Sequence, residues 1–223
     1  MRKKTSGVRS KKSLIIVRTA PRNRTRALVR YDHRTEQAAI GRGGVTAFKR
    51  EGDGATPRAA MRLIGGYVRR DRVSLPPTRL PLRTTRPNML WCDAPRHASY
   101  NRPVRAPFVA GHERMMREDG LYDVCLVMDW NISTRRRNGG SAIFFHVVRP
   151  GYQPTEGCIA VSLPAMRRLI RQMRRGTIVK VVQCMPVDSP PAFSPIHPHQ
   201  ACAASRTERA GPCRARSPTI ARR

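Results

Sequence analysis

Short apolar stretches of four to seven residues recur along the chain, each with partial alternation between apolar and polar positions. Three of them are ALVRYD, QAAIG and VTAFKRE, and the turn-forming strings GRGG and EGDGATP separate them. Apolar runs of this length between glycine-rich breaks predict β-strands. The next stretch, MRLIGGYVRRDRV, continues the pattern, and its paired Gly65 and Gly66 suit a bend or bulge better than a helix.

The most strand-like segments lie in the second half of the chain. The two faces of DGLYDVCLVMDWN differ so little in polarity that a central strand is predicted, and SAIFFHVV and TIVKVV are equally apolar. Helical spacing marks PAMRRLIRQMRRG, where Pro164 suits the first turn and Gly176 the end. The string GHERMMRED predicts a second, short helix.

Together these patterns predict a mainly β, sandwich-like domain with one or two short helices over residues 27–183. Residues 1–26 are basic with little periodicity, and residues 184–223 contain seven prolines, so both segments are predicted to be disordered tails. Apolar runs fall well short of the roughly 20 residues of a membrane helix. The stretch SLIIV is also shorter than the apolar region of an export signal, so neither a membrane span nor a signal peptide is predicted.

The charge is strongly positive, with 44 Lys or Arg against 14 Asp or Glu and a net charge of +30. Such a balance favours anionic partners such as nucleic acid, an acidic lipid surface or an acidic cell-wall polymer. Aromatic residues make up 5% of the chain and are not interleaved with the basic clusters, as they are in proteins that stack single-stranded bases. No nucleic-acid-binding motif is recognisable, so a specific nucleic-acid partner is not predicted.

The six cysteines include no CxxC pair and are too sparse for a disulfide scaffold. Cys125 lies within a predicted strand and is expected to pack as a small apolar side chain. His197, His199 and Cys202 lie in the proline-rich tail, where a metal site is not expected. No metal or cofactor is predicted.

One weakly charged segment, HVVRPGYQPTEGCIA, carries the features of a nucleophilic site. A cysteine becomes a useful nucleophile when a nearby imidazole favours its thiolate, which predicts a thiol that titrates below the ordinary value of about 8.5. Gly157 allows a tight turn in which backbone N–H groups face a developing oxyanion. Flanking strands would bring His146 and Cys158 together, although such a spacing also arises by chance in proteins where both residues are structural.

The string GSAIFFHVVRPGYQPTEGCIAVS resembles the active-site region of the L,D-transpeptidase catalytic domain family, of the YkuD type. The motif of that family is a histidine, a loop, Ser or Thr, any residue, Gly and Cys. Further strings resemble the early strands and the middle of that domain: IGRGGV, KREGDGATP, WCDAPRHASYNRPV and LYDVCLVMDWN. The resemblance covers about residues 37–182.

By this resemblance Cys158 is the nucleophile, His146 the proton donor and acceptor, and Gly157 the oxyanion-hole residue. Thr155 takes the Ser/Thr place of the motif and, with Arg149 from the same loop, is assigned to substrate binding. The sequence departs from the family in a short His-to-Cys loop. It departs again at Ala160, where the family often has Arg or Asn.

The resemblance implies a thioester acyl-enzyme that acts on peptidoglycan stem peptides and forms 3→3 crosslinks, or transfers the acyl group to another amine. It also implies a periplasmic or cell-wall location, and no cofactor. Water as acceptor would make the protein an L,D-carboxypeptidase, and an inactive cell-wall-binding remnant of the fold is a further alternative. A papain-like peptidase is disfavoured because the histidine precedes the cysteine. A basic nucleic-acid-binding module stays as the alternative from a different functional class.

Overall fold

A computed structural model describes residues 13–183, and the predicted disorder of residues 1–12 and 184–223 lies outside this range. The described chain is built from short strands, with one 3-10 turn at Pro150–Tyr152 and one α-helix, α1, at Leu163–Ile170. The strands are β1 Leu14–Ala20, β2 Asn23–Tyr31, β3 Arg34–Ala39, β4 Val45–Thr46, β5 Thr56–Pro57, β6 Ala60–Val68, β7 Leu82–Thr84, β8 Met89–Cys92, β9 Arg102–Arg105, β10 His112–Arg114, β11 Val124–Met128, β12 Phe144–Val147, β13 Ile159–Val161 and β14 Ile178–Val182.

Eight of these strands form a mixed sheet that closes on itself. Their order is β11-β12-β13-β3-β2-β1-β14-β6, and an antiparallel pairing between β11 and β6 joins the two ends. β7 adds to β6 outside the ring. The prediction of a mainly β domain with a short helix is confirmed, and the sheet is barrel-like. Closure leaves the strands of the ring without a free edge that could pair with another chain.

The first strand lies inside the segment 1–26 that the sequence pattern placed outside the domain. β1 pairs in parallel with β14 and antiparallel with β2, so it occupies the middle of the sheet. Its side chains alternate, with Ile15 and Val17 in the core. The prediction of disorder is therefore wrong for residues 14–26. The alternation was obscured because β1 carries the apolar Leu14 and Ile16 at outward positions, whereas most outward positions of β2 are arginines.

The helix prediction is confirmed at its start and wrong at its end. Ser162 caps α1 by accepting a hydrogen bond from the Ala165 N–H at 3.3 Å. The helix was predicted to run to Gly176 but ends at Ile170. Thr78 Oγ1 donates to the carbonyls of Ile170 and Met173, at 2.7 and 3.3 Å. A side chain from a distant loop thus occupies acceptors that a longer helix would use itself.

A second, three-stranded sheet lies where the sequence pattern predicted a short helix and no strands. β10 lies within the string predicted as a short helix, and it pairs with β8, which pairs in turn with β9. β8 and β9 lie where the sequence pattern had predicted no strand. Pairing with neighbouring strands decides the conformation of these short segments, because their own propensities are weak. Within residues 13–183 no helix is long and apolar enough to cross a membrane.

Candidate active site

β12 and β13 lie side by side in the sheet and carry the two residues of the predicted catalytic pair. They are parallel, with Phe145 opposite Ile159 and His146 opposite Ala160. Alternation sends Phe145 and Ile159 into the main core, whereas His146 and Cys158 lie on the opposite face. In such a register Cys158 is diagonal to His146, at a Cα separation of about 8 Å that two side chains can bridge.

Both side chains line one pocket of about 350 Å³. Its wall contains the predicted residues His146, Arg149, Thr155 and Cys158. Tyr122 and Ala160 line it beside them. The structure therefore brings four of the five predicted site residues to one cavity. Gly157, the fifth, packs behind the wall rather than in it.

The Cys158 thiol is held by the strand that bears the histidine. The Phe144 N–H donates to Cys158 Sγ at 3.3 Å, and the thiol donates to the Ala142 carbonyl at 3.2 Å. The side chain is buried, and this burial raises the pKa of Cys158 to about 12. The prediction of a thiol that titrates below about 8.5 is therefore wrong for the unliganded site, because loss of water outweighs the backbone donor.

His146 is also uncharged at rest. Its ring is 4% exposed, and this burial lowers the pKa of His146 to about 4. Nδ1 lies 2.7 Å from the Val147 carbonyl, an acceptor that fixes the proton on Nδ1 and leaves the lone pair on Nε2. The Tyr122 ring packs edge-on against the imidazole with centroids 5.4 Å apart. A neutral imidazole with a free lone pair is the form that accepts a proton from a thiol.

Thr155 shapes the turn that presents the cysteine. Its hydroxyl donates to the Cys158 carbonyl at 2.7 Å and accepts from the Gly157 N–H at 3.2 Å. The Thr155 side chain thus stabilises the turn through hydrogen bonds to two backbone groups. Because the Gly157 N–H already has an acceptor, an oxyanion would have to displace Thr155 Oγ1 to use it. The oxyanion-hole role of Gly157 stays a prediction.

Gly157 is required for a close approach between two backbones. Its φ is +130°, and a Cβ atom here would lie 2.8 Å from the Ala55 carbonyl oxygen. The loop that carries Ala55 is fixed by an ion pair, in which Lys49 Nζ lies 2.5 Å from Asp53 Oδ1. Asp53 also accepts from the Ala55 N–H at 2.9 Å. A salt-bridged loop therefore supports the cysteine turn from behind.

The sequence matches the L,D-transpeptidase catalytic domain, of the YkuD type, over residues 12–181. The chain belongs to the L,D-transpeptidase catalytic domain family. Among curated proteins none matches it. The solved structure of Bdellovibrio bacteriovorus Bd1075 matches with 13% identity and a TM-score of 0.39, over 77% of this chain and 48% of that one. The chain thus spans about half the length of that protein.

In this L,D-transpeptidase domain one wall of the pocket is acidic, which the sequence did not reveal. Glu51, Asp93 and Glu113 all line it. Glu51 accepts from the Tyr100 hydroxyl and Glu113 from the Tyr122 hydroxyl. Burial raises the pKa of Asp93 and of Glu113, and the charges of the neighbouring carboxylates add to the effect. Within the described residues none of the three forms an ion pair, and Lys49 and Arg117 line the same pocket.

Arg149 lies at the entrance of the L,D-transpeptidase pocket. It is exposed, and its guanidinium is 3.5 Å from Asp119, which is paired more closely with Arg117 at 2.5 Å. The substrate-binding role of Arg149 stays a prediction. Ala160 forms part of the pocket wall, where a longer side chain would occupy the cavity.

Other polar and aromatic side chains outside the motif take different places in the domain. His112 lies on β10 with Nδ1 2.7 Å from the Ala110 carbonyl, and Asn131 binds carbonyls of its own loop. Tyr122 packs against His146, and no motif signalled that contact. Among residues 13–183 no cluster of three or more His, Cys, Asp or Glu is placed to hold a metal ion.

Proposed function

We propose that this protein is an L,D-transpeptidase that acts on peptidoglycan stem peptides through a thioester on Cys158. The observation that carries the proposal is the shared pocket. Within an L,D-transpeptidase family domain, a buried thiol and a neutral imidazole from adjacent parallel strands line one cavity. Membership of this family also supports a location in the cell envelope, in the periplasm or at the cell wall.

The protonated thiol of Cys158 and the neutral imidazole of His146 support a stepwise acyl transfer. His146 Nε2 takes the thiol proton as Cys158 Sγ attacks the carbonyl of the L-centre of the diamino acid in a stem tetrapeptide. The C–N bond to D-alanine then breaks, the leaving amine takes the proton from His146, and a thioester remains. The charge separation arises only during the attack, which suits a site that keeps both groups neutral at rest.

A second substrate completes the cycle. The side-chain amine of another stem attacks the thioester, His146 accepts its proton, and the thiol is restored as the new amide forms. The carboxylates of Glu51, Asp93 and Glu113 line the same pocket, where one of them can take the proton that an ammonium must lose before its nitrogen attacks the thioester.

Mass spectrometry of the protein incubated with a purified stem tetrapeptide tests the proposal. We expect a covalent adduct on the peptide that contains Cys158, release of D-alanine, and a crosslinked dimer of stems. Cys158→Ala should abolish all three. Cys92→Ala is the matched control, since Cys92 is an equally buried thiol outside the pocket, and it should leave them intact.

Three other outcomes would each favour a rival. Release of D-alanine without a dimer would indicate a carboxypeptidase. The absence of any adduct with folded protein, from either the stem peptide or a carbapenem, would indicate an inactive remnant. The family resemblance implies that carbapenems acylate Cys158 as mimics of the donor. Salt-sensitive binding of nucleic acid that Cys158→Ala leaves unchanged, without acylation, would support the binding-module alternative.

A further inference from the structure

One outward face of the closed sheet combines apolar side chains with cations. It is formed by alternate residues of β1, β2 and β14, all of which are exposed or half-buried. We name it the outer sheet face, and its members are Leu14, Ile16, Arg18, Leu28, Arg30, Ile178, Lys180 and Val182. Leu14 and Leu28 are 45% and 38% exposed, and they are among the most exposed large apolar side chains of the described chain.

The strand register arranges these side chains in rows. Ile16 lies between Arg30 on one side and Lys180 on the other. In the next row Arg18 lies between Leu28 and Val182. Since neighbouring strands are about 4.8 Å apart, each cation has apolar neighbours at van der Waals range and the next cation within about 10 Å. Apolar and cationic positions thus alternate in two dimensions.

The cations of this face lack counter-charges. Within residues 13–183 neither Arg18, Arg30 nor Lys180 forms an ion pair, whereas Arg62 on the neighbouring β6 lies 3.8 Å from Asp129. The β3 residues in line with the face, Thr35 and Gln37, are neutral. The positive charge also continues along the sequence, because the twelve residues before Ser13 include six Lys or Arg and no Asp or Glu.

We propose that the outer sheet face binds the surface of an anionic lipid bilayer. Acidic headgroups neutralise cations near the membrane, and the interfacial region accepts the apolar side chains between them. Nucleic acid would use the cations alone and leave Leu14 and Leu28 in water. The alternation of both kinds of side chain is therefore what selects a lipid surface. The catalytic residues lie on other strands, β12 and β13, so binding here leaves their pocket open.

Sedimentation of the full chain with lipid vesicles tests the proposal. Vesicles of phosphatidylcholine with about one third phosphatidylglycerol should bind the protein, and each face cation should contribute about fivefold to the partition constant. Arg18→Gln/Arg30→Gln/Lys180→Gln should then weaken binding roughly a hundredfold. The matched control removes three exposed arginines elsewhere, Arg86→Gln/Arg96→Gln/Arg105→Gln, and should weaken it no more than tenfold through the smaller net charge.

A variant that removes the exposed leucines distinguishes lipid binding from nucleic-acid binding. Leu14→Ser/Leu28→Ser should weaken vesicle binding at least threefold while binding of a DNA duplex stays the same. Equal losses for the face variant and the control would overturn the proposal, and so would vesicle binding that the leucine variant leaves unchanged. Circular dichroism of each variant confirms that the exposed substitutions leave the fold in place. A face variant that loses DNA binding but keeps vesicle binding would assign the face to nucleic acid.

Discussion

Burial keeps both members of the proposed catalytic pair, His146 and Cys158, uncharged over most of the pH range, and this sets the pH dependence expected for acylation. The pKa of His146 is about 4 and that of Cys158 about 12. His146 can accept a proton only when neutral, so acylation should be lost as the pH falls through about 4. It should then stay level up to alkaline pH, because the thiol remains protonated until His146 takes its proton.

The rate of carbapenem acylation, followed by mass spectrometry between pH 4 and 10, measures this profile. In His146→Ala the residual rate should rise about tenfold per pH unit, since only spontaneous ionisation of the thiol then supplies the thiolate. Cys92→Ala should reproduce the native profile. A native profile with a midpoint near the ordinary histidine value of about 6.5 would refute the assignment of a neutral resting pair.

Gly157 is the residue at which a single methyl group should disable the site. In Gly157→Ala the new Cβ meets the Ala55 carbonyl oxygen at 2.8 Å, and the φ of +130° is strained for any L-residue. We expect destabilisation of about 2–3 kcal/mol and a loss of acylation of at least a hundredfold. Thermal unfolding and the acylation rate check the two effects.

Gly176→Ala is the matched control for this change. Gly176 also has a positive φ, of +86°, but no atom lies within 4 Å of a Cβ placed there. The variant should lose about 1 kcal/mol of stability and none of its acylation rate. If both glycine variants keep full activity, the close backbone contact behind Cys158 has no part in placing the thiol.

At the level of secondary-structure elements, β1 determines which fragments of the chain can fold. A fragment of residues 27–183 lacks β1 and its buried Ile15 and Val17, each of which stabilises the fold by about 1.5–3 kcal/mol. Together they contribute about 3–6 kcal/mol, a large fraction of the about 5–15 kcal/mol that stabilises a typical domain. We expect this fragment to be unfolded or aggregated, whereas residues 13–183 should unfold cooperatively. Circular dichroism during heating separates the two cases, and a cooperative transition in the shorter fragment would contradict the central place of β1.

Local sequence patterns predicted most strands of the closed sheet, but not β1, β10 or the acidic residues of the pocket. β11, β12 and β14 are mostly apolar and were predicted as strands, and the motif around Gly157 predicted the site cysteine. β1 was missed because its outward positions mix Leu14 and Ile16 with Arg18 and so show little alternation, and β10 because three residues carry no periodicity. The acidic wall could not be predicted from the sequence, because Glu51, Asp93 and Glu113 come from separate segments that only the fold brings together. The elevated pKa of Cys158 likewise depends on burial, which a motif does not encode.

At the scale of the whole molecule the net charge of +30 opposes compaction. Most ion pairs of the described chain involve exposed side chains, such as Arg42 with Glu156, and stabilise it little. Salt screens the repulsion among the excess cations, so the melting temperature should rise between about 20 and 200 mM ionic strength. A gain of about 1 kcal/mol corresponds to about 2–4 °C.

Differential scanning calorimetry measures this rise. Potassium chloride and potassium fluoride at equal ionic strength should give the same shift, because screening depends on ionic strength and not on which monovalent anion is present. A melting temperature that falls with added salt would mean that the ion pairs outweigh the repulsion.

The parallel pairing of β1 with β14 also sets the order of events during synthesis. Among the strands of residues 13–183 the ribosome completes β1 first, yet the partner on one of its sides begins 164 residues later, since Leu14 pairs with Ile178. At translation rates of about 5–20 residues per second, this strand waits roughly 10–30 s with one edge unpaired. During that interval β2 protects the other edge, and the exposed arginines of the hairpin repel a second nascent chain. The arginines of this hairpin thus protect β1 from premature partners until β14 emerges.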